Sequence, residues 1–429
     1  MHNDTIFALS SGAPPAAIGI VRISGPLAGP AVRALAGCLP PSRKAQVALL
    51  HDPVDGSLLD RVVLLWFPGP RTATGEDLAE LQCHGGRAVV SAIEAALAAM
   101  PGLRRAEPGE FTRRAFDNGR MDLNAVEGLA DLLAAETQQQ RRAALMMAEG
   151  HFSQQVESWR TALLDLSAMV EAALDFSDED DVPAADIEAQ IGAGIGRLVQ
   201  DVRAVLASPV AERLRDGVRV VLAGPPNAGK STLLNRLVGR DAAIVSDIAG
   251  TTRDRIEVPA AIGGVPFLFT DTAGLRGATD DVIEAVGIDR ARAALAAADI
   301  ILWLGDAGDM PSEDAVLIAA QSDRAQDGAR RSGLALSAHS GEGMEQLQAL
   351  LLERAAGLLP GEGDYALYAR QRDGVRDLLD QLEQANASGD MLIIGEYLRQ
   401  GRSAIDRLTG RAGTEDMLDR LFAGFCIGK

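Results

Sequence analysis

Residues 224–232 read GPPNAGKST, a glycine-rich stretch that meets the pattern G-x-x-x-x-G-K-[ST]. It follows the apolar run 218–223 and precedes STLLNRLVG, so strand, loop and helix come in the order a phosphate cradle needs. Glycines let backbone N–H groups turn inward on a polyphosphate. The Lys230 ammonium adds charge at the β and γ phosphates, and the Ser231 hydroxyl is an oxygen ligand for Mg²⁺. Asn227, Ala228, Gly229 and Thr232 complete the loop. The lysine stands out because Lys44, Lys230 and Lys429 are the lysines among 41 basic residues. A chain that otherwise uses arginine keeps a compact point charge where a phosphate favours one.

Further along, VPFLFT delivers Asp271, Thr272, Ala273 and Gly274. Asp271 is suited to hold Mg²⁺ through water and the Gly274 N–H to meet a γ-phosphate, which together with the phosphate loop indicates GTP hydrolysis. Between the two lie Ser246, Asp247, Ile248, Ala249, Gly250, Thr251 and Thr252, in SDIAGTTRD. Thr252 can complete the metal shell and the Gly250 region can wrap the phosphates as a switch. Where Ras-like GTPases place a water-orienting glutamine, this chain has Leu275, so hydrolysis needs another device. Glu284 can position the water. No arginine finger is identifiable, and a cation can stabilise the transition-state charge instead, with Asn227 as a suitable oxygen ligand. The guanine-reading N-K-x-D segment is replaced by Ala320-Gln321-Ser322-Asp323. Asp323 keeps the carboxylate that accepts the base N–H groups, but the asparagine and the covering lysine stem are gone, which predicts weaker binding. Ser337, Ala338 and His339, followed by SGEG, match the loop that backs the base.

These residues need a scaffold. Between residues 218 and 352 apolar strands (VRVVLAG, VPFLFTDTAG, DIILWLGD, SGLALSA) alternate with helical segments, a doubly wound βαβ layout that binds ligands at the strand C-terminal ends. Residues 5–116 mix strand-like runs with a helix over 87–100, a compact α/β domain. From 124 to about 208, and again after 361, apolar residues recur at three and four, which predicts packed helices. The acidic SDEDDVP at 177–183 reads as an interhelical turn. A nucleotide domain thus interrupts a helical one. The fold class is α/β plus all-α, with parts at 1–118, 119–213, 214–353 and 354–429.

Taken together, these segments resemble the tRNA-modification GTPases of bacteria and organelles, the MnmE or TrmE family. The likeness runs through DTIFAL, GIVRISGP, GEDLAELQCHGG, FTRRAFDNGRMDLNAVEGLADL, the nucleotide motifs and the terminal FCIGK. The resemblance implies an N-terminal domain that dimerises and binds 5-formyl- or 5,10-methylene-tetrahydrofolate through Arg22, Glu80, Arg120 and Lys429. It also implies a Ras-like P-loop domain inserted in the helical domain. K⁺ held by Asn227, Ser246, Ile248 and Thr251 replaces an arginine finger, Mg²⁺ is held by Ser231 and Thr252, and Glu284 orients water. A homodimer would act in a heterotetramer with an FAD-dependent partner, MnmG or GidA, on C5 of the wobble uridine of certain tRNAs. Arg120 stands where the family commonly has lysine, which keeps the charge and changes the hydrogen-bond geometry.

Composition narrows the partners. With 47% hydrophobic and 24% charged residues the chain is of ordinary globular make-up. It has no run of about 18 apolar residues and no signal-like N-terminus, so no membrane is involved and the cytoplasm is the expected compartment. Cys38, Cys83 and Cys426 lie too far apart in sequence for a local zinc motif and are expected as reduced thiols. Residues 1–118 hold 11 basic against 11 acidic side chains, so the net charge of −19 falls on the rest. A polyanion would be repelled by that part unless Arg104-Arg105, Arg113-Arg114, Arg141-Arg142 or a second protein supplied a positive surface. Two rivals from other classes share the nucleotide motifs: a GTP-switched assembly or ribosome-maturation GTPase, and a degenerate GTPase kept as a scaffold.

Overall fold

The computed structural model describes residues 4–175, 184–241, 257–271, 292–320, 333–361, 363–411 and 415–428. The chain packs as two units, Met1–Ala130 with Asp406–Lys429, and Asp131–Ile405. The segment 177–183 lies outside the described residues.

The first unit is built on a sheet of β1 (Thr5–Leu9), β2 (Ile18–Ser24), β3 (Gln46–His51), β4 (Leu58–Phe67), β5 (Leu78–His84) and β6 (Leu103–Arg105), in the order β3-β4-β5-β2-β1-β6. All neighbours are antiparallel except β1 and β6. Period-two alternation sends Val21 and Ile23, Val62 and Leu64, and Ala79 and Leu81 to one face. There α1 (Ala28–Ala36) covers them with Val32 and Leu35, and α2 (Arg87–Ala98) with Ile93 and Leu97. On the other face Phe111, from α3 (Glu110–Asp117), packs with Ile6, Ala8 and Ala106. Most of α4 (Leu123–Ala134) belongs to this unit. Its Leu123 and Val126 join Leu418, Phe422 and Phe425 from the C-terminal stretch.

A buried cation ties this unit together. Arg114, 0% exposed, donates to Asp4 Oδ1 at 2.9 Å, Glu110 Oε1 at 3.1 Å and Glu76 Oε2 at 3.1 Å, while Arg104 pairs with Asp4 and Glu110 from the other side. Burial alone pushes the Glu110 carboxyl up. The hydrogen bonds from Arg104, the Glu107 N–H and Arg114 outweigh it and hold the group below its ordinary value.

The second unit joins helices to a parallel sheet. The helices are α5 (Gln138–Ala148), α6 (His151–Asp175), α7 (Ala184–Ala207) and α8 (Ala211–Asp216), then α9 (Lys230–Asp241), α10 (Met344–Ala356), α11 (Ala369–Ala387) and most of α12 (Met391–Leu408). Thr137 begins α5 with a capping box: its hydroxyl accepts from the Gln140 N–H, and the Gln140 side chain accepts from the Thr137 N–H. α6 packs on α7, and α7 on α11. The strands are β7 (Val218–Ala223), β8 (Glu257–Ile262), β9 (Val265–Asp271), β10 (Ile300–Trp303), β11 (Val316–Ala320) and β12 (Leu334–Leu336), in the order β12-β11-β10-β7-β9-β8. Only the edge strand β8 runs antiparallel to its neighbour. β7 has later strands on both sides, so the crevice at its C-terminal end is the switch point of the sheet.

Two features differ from the sequence reading. β8 and β11 were not among the strands read; EVPAAI carries a proline, which disfavours a strand reading. Among the described residues the connection from β10 to β11 carries a single 3₁₀ turn, Ala307–Asp309, in place of the expected helix. Twelve residues or so suffice to cross over between parallel strands without one.

Replacing Arg114 by alanine leaves the buried Glu110 carboxylate facing the half-buried Glu76 and Asp4 and is expected to destabilise the first unit by about 3 kcal/mol. Because the folded Glu110 pKa is depressed, its contribution is present above the unfolded pKa and fades as pH falls through the folded value. Hydrogen exchange of β1 and β2 amides in the wild type and R114A, at neutral and acidic pH, measures both: the difference between the chains should shrink in acid.

Candidate functional site

The nucleotide loop starts where β7 runs out of strand neighbours. β7 pairs in parallel register with β9, Leu222 opposite Asp271, and with β10, Ala223 opposite Trp303. The Leu304 N–H donates to Ala223 O at 2.8 Å. The chain then turns at Gly224, φ 145°, where an added Cβ would stand 2.7 Å from the Leu304 carbonyl oxygen. Asn227 (φ 62°) and Gly229 (φ 94°) also take left-handed conformations, which curl successive N–H groups toward one concavity. Asn227 is exposed and Ala228 and Gly229 half-buried.

Lys230 opens α9 and is 5% exposed. Its ammonium donates to Gly224 O at 2.9 Å and Pro225 O at 2.8 Å, so the loop's own carbonyls hold the charge within the curl. Ser231 and Thr232, next in the helix, are exposed. The Ser231 hydroxyl donates to Asp271 Oδ2 at the end of β9. Hydroxyl and carboxylate oxygens side by side beneath a phosphate cradle suit a hard divalent cation that keeps its remaining sites for phosphate and water. Among the described residues no cluster of three or more His, Cys, Asp or Glu side chains makes a protein-only metal cage.

At the same sheet edge β12 leads into a fixed turn. Ser337 is buried. Its N–H donates to Glu342 O at 3.0 Å, its carbonyl accepts from the Gly341 N–H at 2.9 Å, and its hydroxyl accepts from the Ser340 N–H at 3.1 Å. Ala338 is half-buried and His339 exposed. Ala320, at the first position of the altered N-K-x-D segment, ends β11 in register with Leu336. Ser246, Asp247, Ile248, Ala249, Gly250, Thr251, Thr252, Thr272, Ala273, Gly274, Glu284 and Asp323 lie outside the described residues.

In the first unit, strand register brings Arg22 of β2 and Glu80 of β5 opposite one another. The guanidinium donates to Glu80 Oε1 from Nη2 at 2.9 Å and Nε at 3.2 Å, and lies 5.7 Å from the Phe111 ring centroid. Arg120 Nε donates to Thr72 O at 3.1 Å, Asn118 Nδ2 to Thr74 O at 2.7 Å, and Ser24 Oγ to Glu76 at 2.8 Å, so the segment 72–76 is pinned between β2 and residues 118–120. The C-terminal stretch runs alongside: Ile427 bridges Pro108, and Gly428 approaches Leu9 so closely that a Cβ would stand 2.2 Å from its carbonyl. Ser10 Oγ, beside it, is buried without a partner among the described residues. The Arg22–Glu80 pair offers a cation and a carboxylate, groups that can hold an acidic tail and a hydrogen-bonding ring respectively. Lys429 lies outside the described residues.

Matches to known proteins cover nearly the whole chain. The family model described as "GTP-binding protein TrmE N-terminus" matches residues 5–120, and that of the MnmE helical domain matches residues 123–426. The chain belongs to the MnmE family of tRNA modification GTPases. The tRNA modification GTPase MnmE of Rhizorhabdus wittichii is 59% identical over 429 residues, 100% of this chain and 97% of its own. Those of Novosphingobium aromaticivorans and Erythrobacter litoralis are each 56% identical, over 99% of this chain and 100% of their own. Among solved structures, the G domain of the T. maritima FeoB iron transporter aligns over 32% of this chain and 98% of its own at 23% identity, with a TM-score of 0.24.

The nucleotide motif sits in the second unit and the Arg22–Glu80 pair in the first. The arginine clusters considered for RNA are engaged elsewhere: Arg104 and Arg114 in the carboxylate network, Arg105 with Glu94, Arg113 with Asp419, and Arg141 with the Gln138 side chain. Sequence reasoning missed Phe111 beneath Arg22 and the orphan Ser10 hydroxyl. Phe111 stands in FTRRAF next to the arginines that drew notice, and its ring could be assigned to Arg22 only once α3 was known to cover that sheet face. All three cysteines are free. Among the described residues no helix is long and apolar enough to cross a membrane.

Gly224→Ala tests the loop directly. With a Cβ pressed on the Leu304 carbonyl the cradle must open, and GTP hydrolysis is expected to fall at least about 10²-fold. Thermal unfolding should shift down as well, because alanine is strained at this φ, so hydrolysis is to be compared well below both midpoints. An active G224A protein would refute the geometry.

Proposed function

We propose that this chain is a K⁺-dependent GTP-hydrolysing enzyme that, with the FAD-dependent partner MnmG (GidA), adds an aminomethyl or carboxymethylaminomethyl group to C5 of the wobble uridine, position 34, of certain tRNAs. The observation that carries the reading is the Lys230 and Ser231–Asp271 constellation at the head of β7 and β9, in a chain of this family that also bears the Arg22–Glu80 pair. In this reading the loop N–H groups and Lys230 bind the β and γ phosphates. Ser231 and Thr252 hold Mg²⁺, and Asp271 orients water on it. Asn227, Ser246, Ile248 and Thr251 hold K⁺, whose charge serves the part an arginine finger takes elsewhere. Glu284 positions the attacking water. Asp323, with the turn at Ser337, Ala338 and His339, reads guanine.

Arg22, Glu80, Arg120 and Lys429 hold a 5-formyl- or 5,10-methylene-tetrahydrofolate, which supplies the one-carbon unit. Glu80 reads the pterin by paired hydrogen bonds and the cations take the glutamate tail. The domain division is the one read from sequence: 1–118 for folate binding and dimerisation, 214–353 for the nucleotide, and 119–213 with 354–429 as the helical domain. The protein works as a cytoplasmic homodimer within a heterotetramer. Its acidic balance supports a division of labour in which the partner carries most of the tRNA-binding surface.

The decisive experiment is GTP hydrolysis by the purified chain in KCl and in NaCl at equal ionic strength, with ATP as control. Stimulation by K⁺ of at least about 10-fold, confined to GTP, is expected from removing uncompensated transition-state charge; equal rates in both salts would exclude the cation mechanism. Restoring the base-reading segment with A320N/Q321K should lower the GTP Kd at least about tenfold, the scale of one to two recovered hydrogen bonds, as read by titration with a fluorescent nucleotide. Glu80→Gln, which keeps the shape and removes the charge, should weaken tetrahydrofolate binding in calorimetry while leaving GTP hydrolysis intact.

A further inference from the structure

The first turn of α5 reads Gln138-Gln139-Gln140, and each of the last two glutamines reaches a different part of the nucleotide-binding fold. Gln140 Nε2 donates to Leu214 O and Arg215 O, both at 3.1 Å, where α8 leads the chain into β7. Gln139 Nε2 donates to Pro360 O at 3.3 Å, where the chain leaves the fold beyond α10. The Gln139 backbone N–H is one of the donors a helix start leaves unmet. It donates to Gly264 O at 3.4 Å, at the tip of the β8–β9 hairpin. That hairpin joins the two phosphate-reading segments: β8 starts at Glu257, shortly after Thr252, and β9 ends on Asp271.

Four observations mark this joint as able to take a second arrangement. Gln139 Oε1 is buried and has no partner among the described residues, so the present arrangement leaves an acceptor unsatisfied, which another position of the tip can relieve. The tip is Gly263-Gly264, with φ 57° and 82°. A Cβ on Gly263 would stand 2.9 Å from the end of the Leu352 side chain of α10, so the tip lies against a side chain that can itself shift. A cavity of about 590 Å³, lined among others by Gln138, Gln139, Gly263, Gly264 and Pro360, lies beside it and gives the hairpin room. The bond from the Gln139 N–H to Gly264 O, at 3.4 Å, is near the long limit of hydrogen bonding, so it ties the tip to α5 only weakly.

We propose that Gln139 is the residue through which the nucleotide state of the phosphate loop positions the helical part of this unit: movement of β9 with Asp271 shifts the hairpin tip, and the tip recaps or releases α5. The inference rests on the GTPase reading. Gln139 is a positioning residue and touches no phosphate-binding group.

The test is hydrogen exchange of the full-length protein with Mg²⁺ and either GDP or a non-hydrolysable GTP analogue, binding of each being verified with a fluorescent nucleotide. The Gln139 amide and its neighbours in α5 should exchange at rates differing at least about threefold between the two states. Gln139→Pro, which removes the amide that meets Gly264 O and is tolerated in the first turn of a helix, should flatten that difference in the neighbouring α5 amides, leave GTP hydrolysis within about twofold and lower tRNA modification at least about fivefold; Gln139→Ala, which keeps the amide, should retain most of the exchange difference. Identical α5 exchange in both nucleotide states with binding intact would overturn the coupling alone. Failure of the wild type to bind either nucleotide would overturn the phosphate-loop reading and the coupling with it.

Discussion

A backbone carbonyl fixes the start of the phosphate loop. Leu304 O stands so near Gly224 that no side chain fits between them, and it stands there because Leu304 continues β10 and pairs with Ala223 at the end of β7. The loop therefore starts at the one point where β7, flanked on both sides, must leave the sheet. From that constraint the rest follows. The turn at Gly224 sends the chain back over the sheet edge. α9 then begins at Lys230, whose ammonium returns to the carbonyls of Gly224 and Pro225, and the next residue, Ser231, meets Asp271 on the neighbouring strand. A slip of one residue in the β7–β9 register would turn Asp271 to the other face and separate the pair.

The first unit uses register in the same way for a different chemistry. Arg22 and Glu80 are 58 residues apart in sequence and meet because β2 and β5 are neighbours. Their strands also bury a hydrophobic face against α1 and α2, so the polar face is positioned by the apolar one. Arg114 adds rigidity from beneath α3. With three carboxylates around a fully buried guanidinium, the stretch carrying Glu76 is tied to the strand that carries Ser24.

What could be read from the sequence was local. GPPNAGKST announces its conformation because glycines, lysine and serine lie within nine residues, between an apolar run and a helical one. The strands around it were legible for the same reason, except for β11 and for β8, whose EVPAAI carries a proline. Arg22, Glu80 and Arg120 were identified by family resemblance alone. Nothing in their spacing says that β5 pairs with β2, since β3 and β4 come between them in the chain and the pairing is set by the whole sheet. The glutamines of α5 gave no signal, because their partners are main-chain carbonyls at positions 214, 215, 264 and 360. Side chains that bind backbone leave no complementary residue to look for.

Order of synthesis gives the C-terminal stretch another meaning. Phe116, Leu123 and Val126 are made early, yet the groups that cover them, Leu418, Phe422 and Phe425, follow only after residues 131–405 have been made and can fold. During that interval the growing chain displays an uncovered aromatic and aliphatic patch of the kind chaperones recognise. Phe116 finds the Phe422 ring, at 6.2 Å, and Leu9 finds Gly428 only once that late stretch has been made. A chain cut short before residue 418 would have its nucleotide unit intact and its first unit still bearing an unfinished surface, a difference that proteolytic quality control can act on.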